Sequence, residues 1–433
     1  MRSLALVAVL LAAPAFAQAA ADDGAQAAQE NGSDGYTPTE DSVVDALRVS
    51  GYVDVGYAKA AGDGTSWPAG ETRSPGDYAV DPFATAVNSR GDVAALDPNR
   101  FTNGFLPRAM NIGGNPSFLL NTLSAELRFA PRTVPVFVFA RVQLMPRFFG
   151  PTGDQTRVEL QQAFGRFNPF SSQEFTVSVG KFDSVFGIEY LETEANLRLG
   201  ITPSLVARYT TGQSLGLKAF YRLELPKLWS GLSLNAAVTN NGTRVESLVP
   251  VDASLTGGPV FSGRLGYELN LRAFQLKLGF SALYGPRNDQ LSRGAHQRAF
   301  GGDARIEFKG LHLAGELLTL HDDESPIEGK LTGQGPAELA SEFEVTGGWV
   351  RLGYTLPFKA DLLTAVTPYV RWDRRHGQFE GFTPLDTDRF SFGLQLQLYE
   401  SVLIKAEYLW NRELHGAPQV DNDVFTSSLV LTW

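Results

Sequence analysis

Charged side chains carry most of the chemistry available to this chain. Between 183 and 212 the sequence sets Asp183, Glu189, Glu192 and Glu194 against Arg198 and Arg208, with Lys181 just before the segment. Opposite charges held at fixed positions around a narrow opening create a field that orients dipolar solutes and filters ions. Other bases fall on the polar side of alternating stretches: Arg128, Arg141, Lys218, Arg222, Arg264, Lys277, Arg305, Arg351, Arg371 and Lys405. They are nearly balanced by Asp54, Glu126, Glu159, Glu224, Glu268, Asp303, Glu307, Glu316, Asp373 and Glu407, so a charge ring of one sign is not expected. A phosphate-selective point needs clustered Arg and Lys, and the 183–212 segment is net acidic instead.

Hydrolytic chemistry has little to work with. The chain has five His and no Cys, which removes thiolate metal sites, Cys nucleophiles and a lipid anchor on Cys. His321-Asp322-Asp323 and Asp373 with His376 could place acids beside an imidazole, but His312 falls on an inward face, and His296 and His415 lie in connections. No nucleophile–base pair can be assembled from these residues, so an enzyme is not expected. Metal-ligand spacings, phosphate-cradling Gly loops and heptads are absent, and no cofactor is expected. With 47 acids against 37 bases and a net charge of −10, a nucleic-acid partner is not expected either.

The elements that would position these charges are strands. Met1-Arg2-Ser3 followed by the apolar Leu4 to Ala13 and by Ala15-Phe16-Ala17 reads as a cleaved signal peptide over 1–17. Residues 18–45 read as a disordered acidic leader. Beyond the signal no apolar run reaches the roughly 18 residues of a membrane helix. Period-two alternation dominates from there. Leu215, Leu217, Ala219, Tyr221 and Leu223 alternate with Ser214, Gly216, Lys218, Phe220 and Arg222, and Phe390, Phe392, Leu394, Leu396 and Leu398 alternate with Arg389, Ser391, Gly393, Gln395 and Gln397. Each run is about ten residues, the length at which a tilted strand crosses a bilayer.

Short connections such as 130–133, 271–273, 309–310 and 399–401 alternate with long polar ones at 58–117, 146–155, 183–212, 241–258, 285–296, 322–341, 374–386 and 411–422. The pattern predicts about sixteen strands over 46–433: an all-β transmembrane antiparallel up-and-down barrel, with short turns on the periplasmic side and long extracellular loops. The segment 202–211 reads either as an extra strand or as the end of a loop. Aromatics near strand ends (Trp229, Phe308, Phe358, Tyr399 and Trp433 on one side, Tyr57, Tyr284 and Trp410 on the other) fit interfacial belts.

Two stretches carry a family resemblance. The last strand places Phe425, Ser427, Leu429, Leu431 and Trp433 on one face and ends on the aromatic. This resembles the assembly signal of outer-membrane barrels, many of which end in Phe. Gly180-Lys181-Phe182 followed by Phe186-Gly187-Ile188-Glu189 resembles the pattern of the phosphate-selective porin O/P and OmpL-like β-barrel porin families, and Val49 to Tyr57 is similar to their opening strand. The resemblance implies a diffusion channel for small hydrophilic solutes, seated in outer-membrane lipid. By family analogy it also implies a homotrimer and a third long loop folded into the lumen. That loop would make Lys181, Asp183, Glu189, Glu192, Glu194, Arg198 and Arg208 the constriction, with the ten bases above on the pore wall. The competing readings are a rim protease or lipase and a closed barrel serving adhesion or envelope structure.

Overall fold

The computed structural model describes residues 46–60, 117–131, 134–145, 149–150, 153–154, 157–170, 175–225, 228–240, 258–286, 295–323, 342–358, 360, 362–379, 385–414 and 423–433. Residues 1–45, where a signal peptide and leader are expected, most of the first long connection and His415 lie outside the described residues.

Sixteen full strands form a closed antiparallel barrel. They are β1 (Leu47–Ala60), β2 (Ser117–Phe129), β3 (Val136–Met145), β4 (Arg157–Phe167), β5 (Phe175–Asp183), β6 (Gln213–Leu225), β7 (Ser230–Thr239) and β8 (Val260–Leu271). They continue with β9 (Phe274–Pro286), β10 (His296–Phe308), β11 (Leu311–Asp322), β12 (Phe343–Tyr354), β13 (Leu363–Phe379), β14 (Leu385–Leu398), β15 (Val402–Glu413) and β16 (Val424–Thr432). Each strand pairs with its neighbours in sequence, and a two-residue piece, Leu356–Pro357, adds to β13. Closure comes from β1 against β16, in the register Tyr52↔Thr432 to Ala60↔Val424. Gly51 and Trp433 exchange backbone hydrogen bonds at 3.1 and 3.0 Å at the seam. Closing the sheet removes every unpaired edge, which a bilayer would not tolerate.

The alternation read from the sequence is the alternation of the wall. Leu217, Phe280 and Val350 are 47%, 55% and 44% exposed on the outer surface, whereas their neighbours Lys218, Ser281 and Arg351 are 5%, 0% and 8% exposed inside. A one-residue slip would exchange these faces along a whole strand, so the apolar exterior fixes register. Trp229, Phe308, Phe358 and Tyr399 stand exposed at the turn end, and Tyr284 does so at the loop end. Trp229, Lys309 and Tyr399 adopt positive φ (52°, 48° and 52°) in three of the tight reversals at the turn end.

Two expectations need correction. The segment 374–386 is not a long loop, because β13 runs on to Phe379 and β14 begins at Leu385. There the outward residues change from apolar to charged while pairing continues, with Arg374 opposite Asp388 and His376 opposite Asp386. The segment 202–211 adds no strand. It ends the third long connection with a short helix, Ala207–Thr210.

Candidate functional site

The 184–212 connection lies inside the barrel. Its two ends meet where the Ser184 N–H donates to the Gly212 carbonyl at 2.9 Å. The Gly-Lys-Phe and Phe-Gly-x-Glu stretches explain locally how the chain turns inward. Gly180 takes φ +135°, with its Cα against the backbone of Ala163 and Phe164, where a Cβ would clash. Phe182 then buries with Val185 against Phe139, Phe164 and Ala237. Gly187, at φ +70°, passes directly over the Glu316 carboxylate where no side chain fits. Phe186 and Ile188, joined later by Val206 and Tyr209, pack into an apolar patch on the inner wall made by Val260, Leu283, Ala299, Leu318, Leu320, Val345 and Trp349. The positive φ values favour glycine, and burying these side chains against the wall drives the segment out of water.

Polar contacts then fix the path. The Gly187 N–H donates to Ser281 Oγ at 2.9 Å, and the Ile188 and Glu189 N–H groups donate to Glu316 Oε2 at 3.0 and 3.3 Å. Glu192, in a single 3-10 turn (Glu189–Glu192), accepts from both Arg351 guanidinium nitrogens at 2.6 and 2.8 Å and from Arg305 at 2.9 Å. Glu194 reaches the opposite side and accepts from Arg141 at 2.9 Å and from Tyr52 and Gln143, each at 2.7 Å. Lys405 donates to the carbonyls of Ala195 (2.7 Å), Gly200 (3.2 Å) and Arg198. Arg371 holds Thr202 and Pro203 through the Thr202 carbonyl at 2.7 Å, its hydroxyl at 3.0 Å and the Pro203 carbonyl at 3.1 Å. Glu407 accepts from the Thr202 N–H at 2.9 Å and from Tyr369 at 2.8 Å. Polar contacts tie the segment to β1, β3 and every strand from β9 to β15.

The electrostatics follow from this pairing. Burial pushes the Glu192 carboxyl up, but Arg351 and then Arg305 outweigh it and hold its pKa down at about 2. For Glu189 burial prevails over Arg371 and over the hydrogen bonds from Ser204, and its pKa lies above the ordinary carboxylate value. Glu192 and Glu194 are therefore in contact with their bases and do not face them across a gap, while Glu189 accepts from the Ser204 N–H and hydroxyl within the loop. Removing one member of such a buried pair leaves an uncompensated charge.

The expected site residues divide into groups. Glu192 and Glu194 meet Arg141, Arg305 and Arg351 directly, while Arg371 and Lys405 hold loop backbone. Asp183, the last residue of β5, accepts from Gln213 at 3.0 Å and from Gln162. Arg198 is buried within the loop and reaches the Thr193 carbonyl at 3.5 Å. Arg208 lies in the Ala207–Thr210 helix. Lys181 does not join them: it alternates with Phe182 onto the outward side of β5, and its ammonium caps the Leu160 carbonyl at 2.7 Å.

The remaining wall bases face inward and meet wall side chains. Arg128 pairs with Glu126 at 2.9 Å, Arg222 with Glu268 at 3.1 Å, Lys277 with Glu268 at 3.8 Å and Arg264 with Asp303 at 2.6 Å. Lys218 stands 5.3 Å over the Phe182 ring. Tyr52, Gln143, Tyr369 and Arg389 also hold the loop or its anchors, and sequence reasoning missed them. Arg389 stood on the polar face of its run and was legible there. Tyr52 reads as one more strand aromatic. His312 Nε2 is 2.9 Å from Thr355 Oγ1, but that hydroxyl is already bonded to Thr367 at 3.0 Å and Glu307 is 3.8 Å from the ring. That geometry does not orient a base for attack.

No protein-family profile matches this chain, and no curated protein is similar to it in sequence. Solved structures are similar in shape. The outer-membrane channel DcaP of Acinetobacter baumannii superposes with a TM-score of 0.54 at 9% identity, over 89% of this chain and 97% of that one. An anion-selective porin from Comamonas acidovorans gives 0.49 at 9% identity, over 89% and 98%. OmpT of Vibrio cholerae, expressed in the outer membrane, gives 0.48 at 7% identity, over 89% and 97%. What this chain shares with DcaP is the fold, a closed antiparallel β-barrel.

Proposed function

We propose that this protein is an outer-membrane porin of a Gram-negative bacterium, exported by a cleaved signal peptide. It provides a water-filled path for passive diffusion of small hydrophilic solutes or ions and has no enzymatic activity. The observation that carries this reading is the inward-folded 184–212 segment, seated on a charged inner wall within a barrel whose exterior is apolar. Barrels of this size enclose an aqueous lumen, and a loop fixed inside one sets its narrowest section. The Gly-Lys-Phe and Phe-Gly-x-Glu stretches support kinship with the phosphate-selective porin O/P and OmpL-like families. Phosphate selectivity is not part of the proposal, because the bases nearest the loop are already occupied by its carboxylates and carbonyls. A homotrimer is the assembly we favour, by analogy with barrels of this size.

A specific observation favours one other reading. The loop contacts so much of the circumference that a closed barrel, serving adhesion or envelope structure through its external loops, is the alternative. Conductance in planar bilayers separates the two. The refolded protein is expected to give discrete, salt-dependent steps. Neutralising Glu189, Glu192 and Glu194 together (to Gln) is expected to enlarge the steps and move selectivity toward anions, because Arg305 and Arg351 lose the Glu192 carboxylate and Arg141 is left with Glu126 alone. Steps indifferent to the substitutions would remove the loop from the constriction. Folded barrels that never conduct would leave the closed-barrel reading.

A further inference from the structure

Outside the lumen, at the loop end of β11 and β12, an imidazole is surrounded by carboxylates. The register sets His321 opposite Glu344 on the outward face, and Asp323 and Glu342 are the first and last residues of the connection between the two strands. Glu344 approaches His321 Nδ1 at 3.0 Å, whereas Asp323 and Glu342 approach Nε2 at 3.1 and 3.3 Å. One nitrogen of His321 and one oxygen each of Glu342 and Glu344 lie within 4.8 Å of one another. The imidazole has at most two N–H groups for three carboxylates, and Arg298, its cross-strand neighbour on β10, brings one positive charge. Three carboxylates against one guanidinium leave a surplus of two negative charges when the ring is neutral.

We propose that His321, Glu342 and Glu344 bind a divalent first-row transition cation of the zinc class. Glu344 stands at Nδ1. Asp323 accepts from the Nε2–H and so leaves the Nδ1 lone pair to the metal, as carboxylate–histidine–metal arrangements do elsewhere. Glu342, which stands 3.3 Å from Nε2, swings to the Nδ1 side to complete the set. One nitrogen with two carboxylates suits such a cation better than Ca²⁺ or Mg²⁺, which take all-oxygen shells. Metal–ligand bonds of about 2.0–2.2 Å require the three donors, which lie within 4.8 Å of one another, to close in when the ion binds. Glu344 is exposed, Glu342 is half-buried and His321 is 17% exposed, so an ion can enter from solvent. Because ligands come from both ends of the 323–342 connection, the ion would tie the base of that loop to the barrel.

The test is Zn²⁺ binding to the full-length refolded barrel, by isothermal titration and equilibrium dialysis, with folding checked by heat-modifiable migration. We expect one tight site, weakened at least about tenfold by His321→Ala and by Glu344→Gln and unchanged by His376→Ala. Zn²⁺ should also slow proteolysis between 323 and 342 in the wild type but not in Glu342→Gln. Zinc affinity that survives His321→Ala, or Ca²⁺ binding as tightly as Zn²⁺ with no dependence on His321, would overturn the site and leave an acidic rim.

Discussion

The inner wall has two sectors built from the same residue types with different roles. From β10 to β15 the bases are turned onto the loop: Arg305 and Arg351 onto Glu192, Arg371 and Lys405 onto backbone carbonyls. From β6 to β9 they pair with wall carboxylates: Arg222 and Lys277 with Glu268, Arg264 with Asp303 of β10. In both sectors the bases stand on the polar side of an apolar–polar alternation. The difference is burial. Arg351 and Glu192 are about nine-tenths buried, whereas in the other sector the Arg222, Lys277 and Arg264 side chains are 32%, 19% and 16% exposed. A desolvated pair holds the loop in place, and a wet one only colours the field in the lumen.

The largest effect should come from splitting a buried pair. Glu192→Ala leaves Arg305 and Arg351 without their carboxylate, and removing one partner of such a pair typically costs about 3–5 kcal/mol. We expect the loop to leave its seat, read as rapid proteolysis within 184–212 and larger conductance steps, while the heat-modified band shows an intact barrel. A loop that stays protected would mean that the apolar seat around Phe186 and Trp349 holds it alone.

Acid should act next, and its direction is set by Glu192. Its pKa of about 2 lies below the ordinary 4.5. The stabilisation it provides is complete above 4.5 and is lost as pH falls through about 2. Glu189, shifted upward, acts in the opposite sense: its contribution is complete below 4.5 and is lost as pH rises through its raised value. Protease protection of the loop is therefore expected to persist on acidification and to fail near pH 2, with that transition absent in Glu192→Gln. A transition at the ordinary carboxylate value would show that the pair is solvated.

The smallest effect belongs to the other sector. Arg222→Ala should change stability by no more than about 1 kcal/mol, leave the loop protected, and move reversal potentials toward cations. A loop released by this substitution would erase the distinction between the sectors.

The strand plan was legible because a barrel wall has one apolar and one wet face, which imposes period two on the sequence itself. Predicted and observed strands agree to within about two residues along most of the chain. The clearest failure, at 374–386, has a physical cause: above the apolar band the outward face of β13 and β14 turns charged, and charge alone reads as loop. Lys181 failed similarly, since a base on an outer rim is indistinguishable in sequence from a base in the lumen. The acids of the third loop were identifiable as a group, as were nearly all the wall bases that meet them.

Their pairing was not legible. Glu192 lies more than a hundred residues from Arg305 and Arg351, and Glu194 finds Tyr52 on the first strand. Local pattern shows which side of a strand a residue occupies, because backbone geometry alone decides that. Which charges touch depends on barrel closure, strand stagger and the path of a loop whose anchors sit on nine strands. Sequence by itself determined a wall of about sixteen strands with a charged interior, and only the tertiary structure decided that half of the ten wall bases would hold the loop.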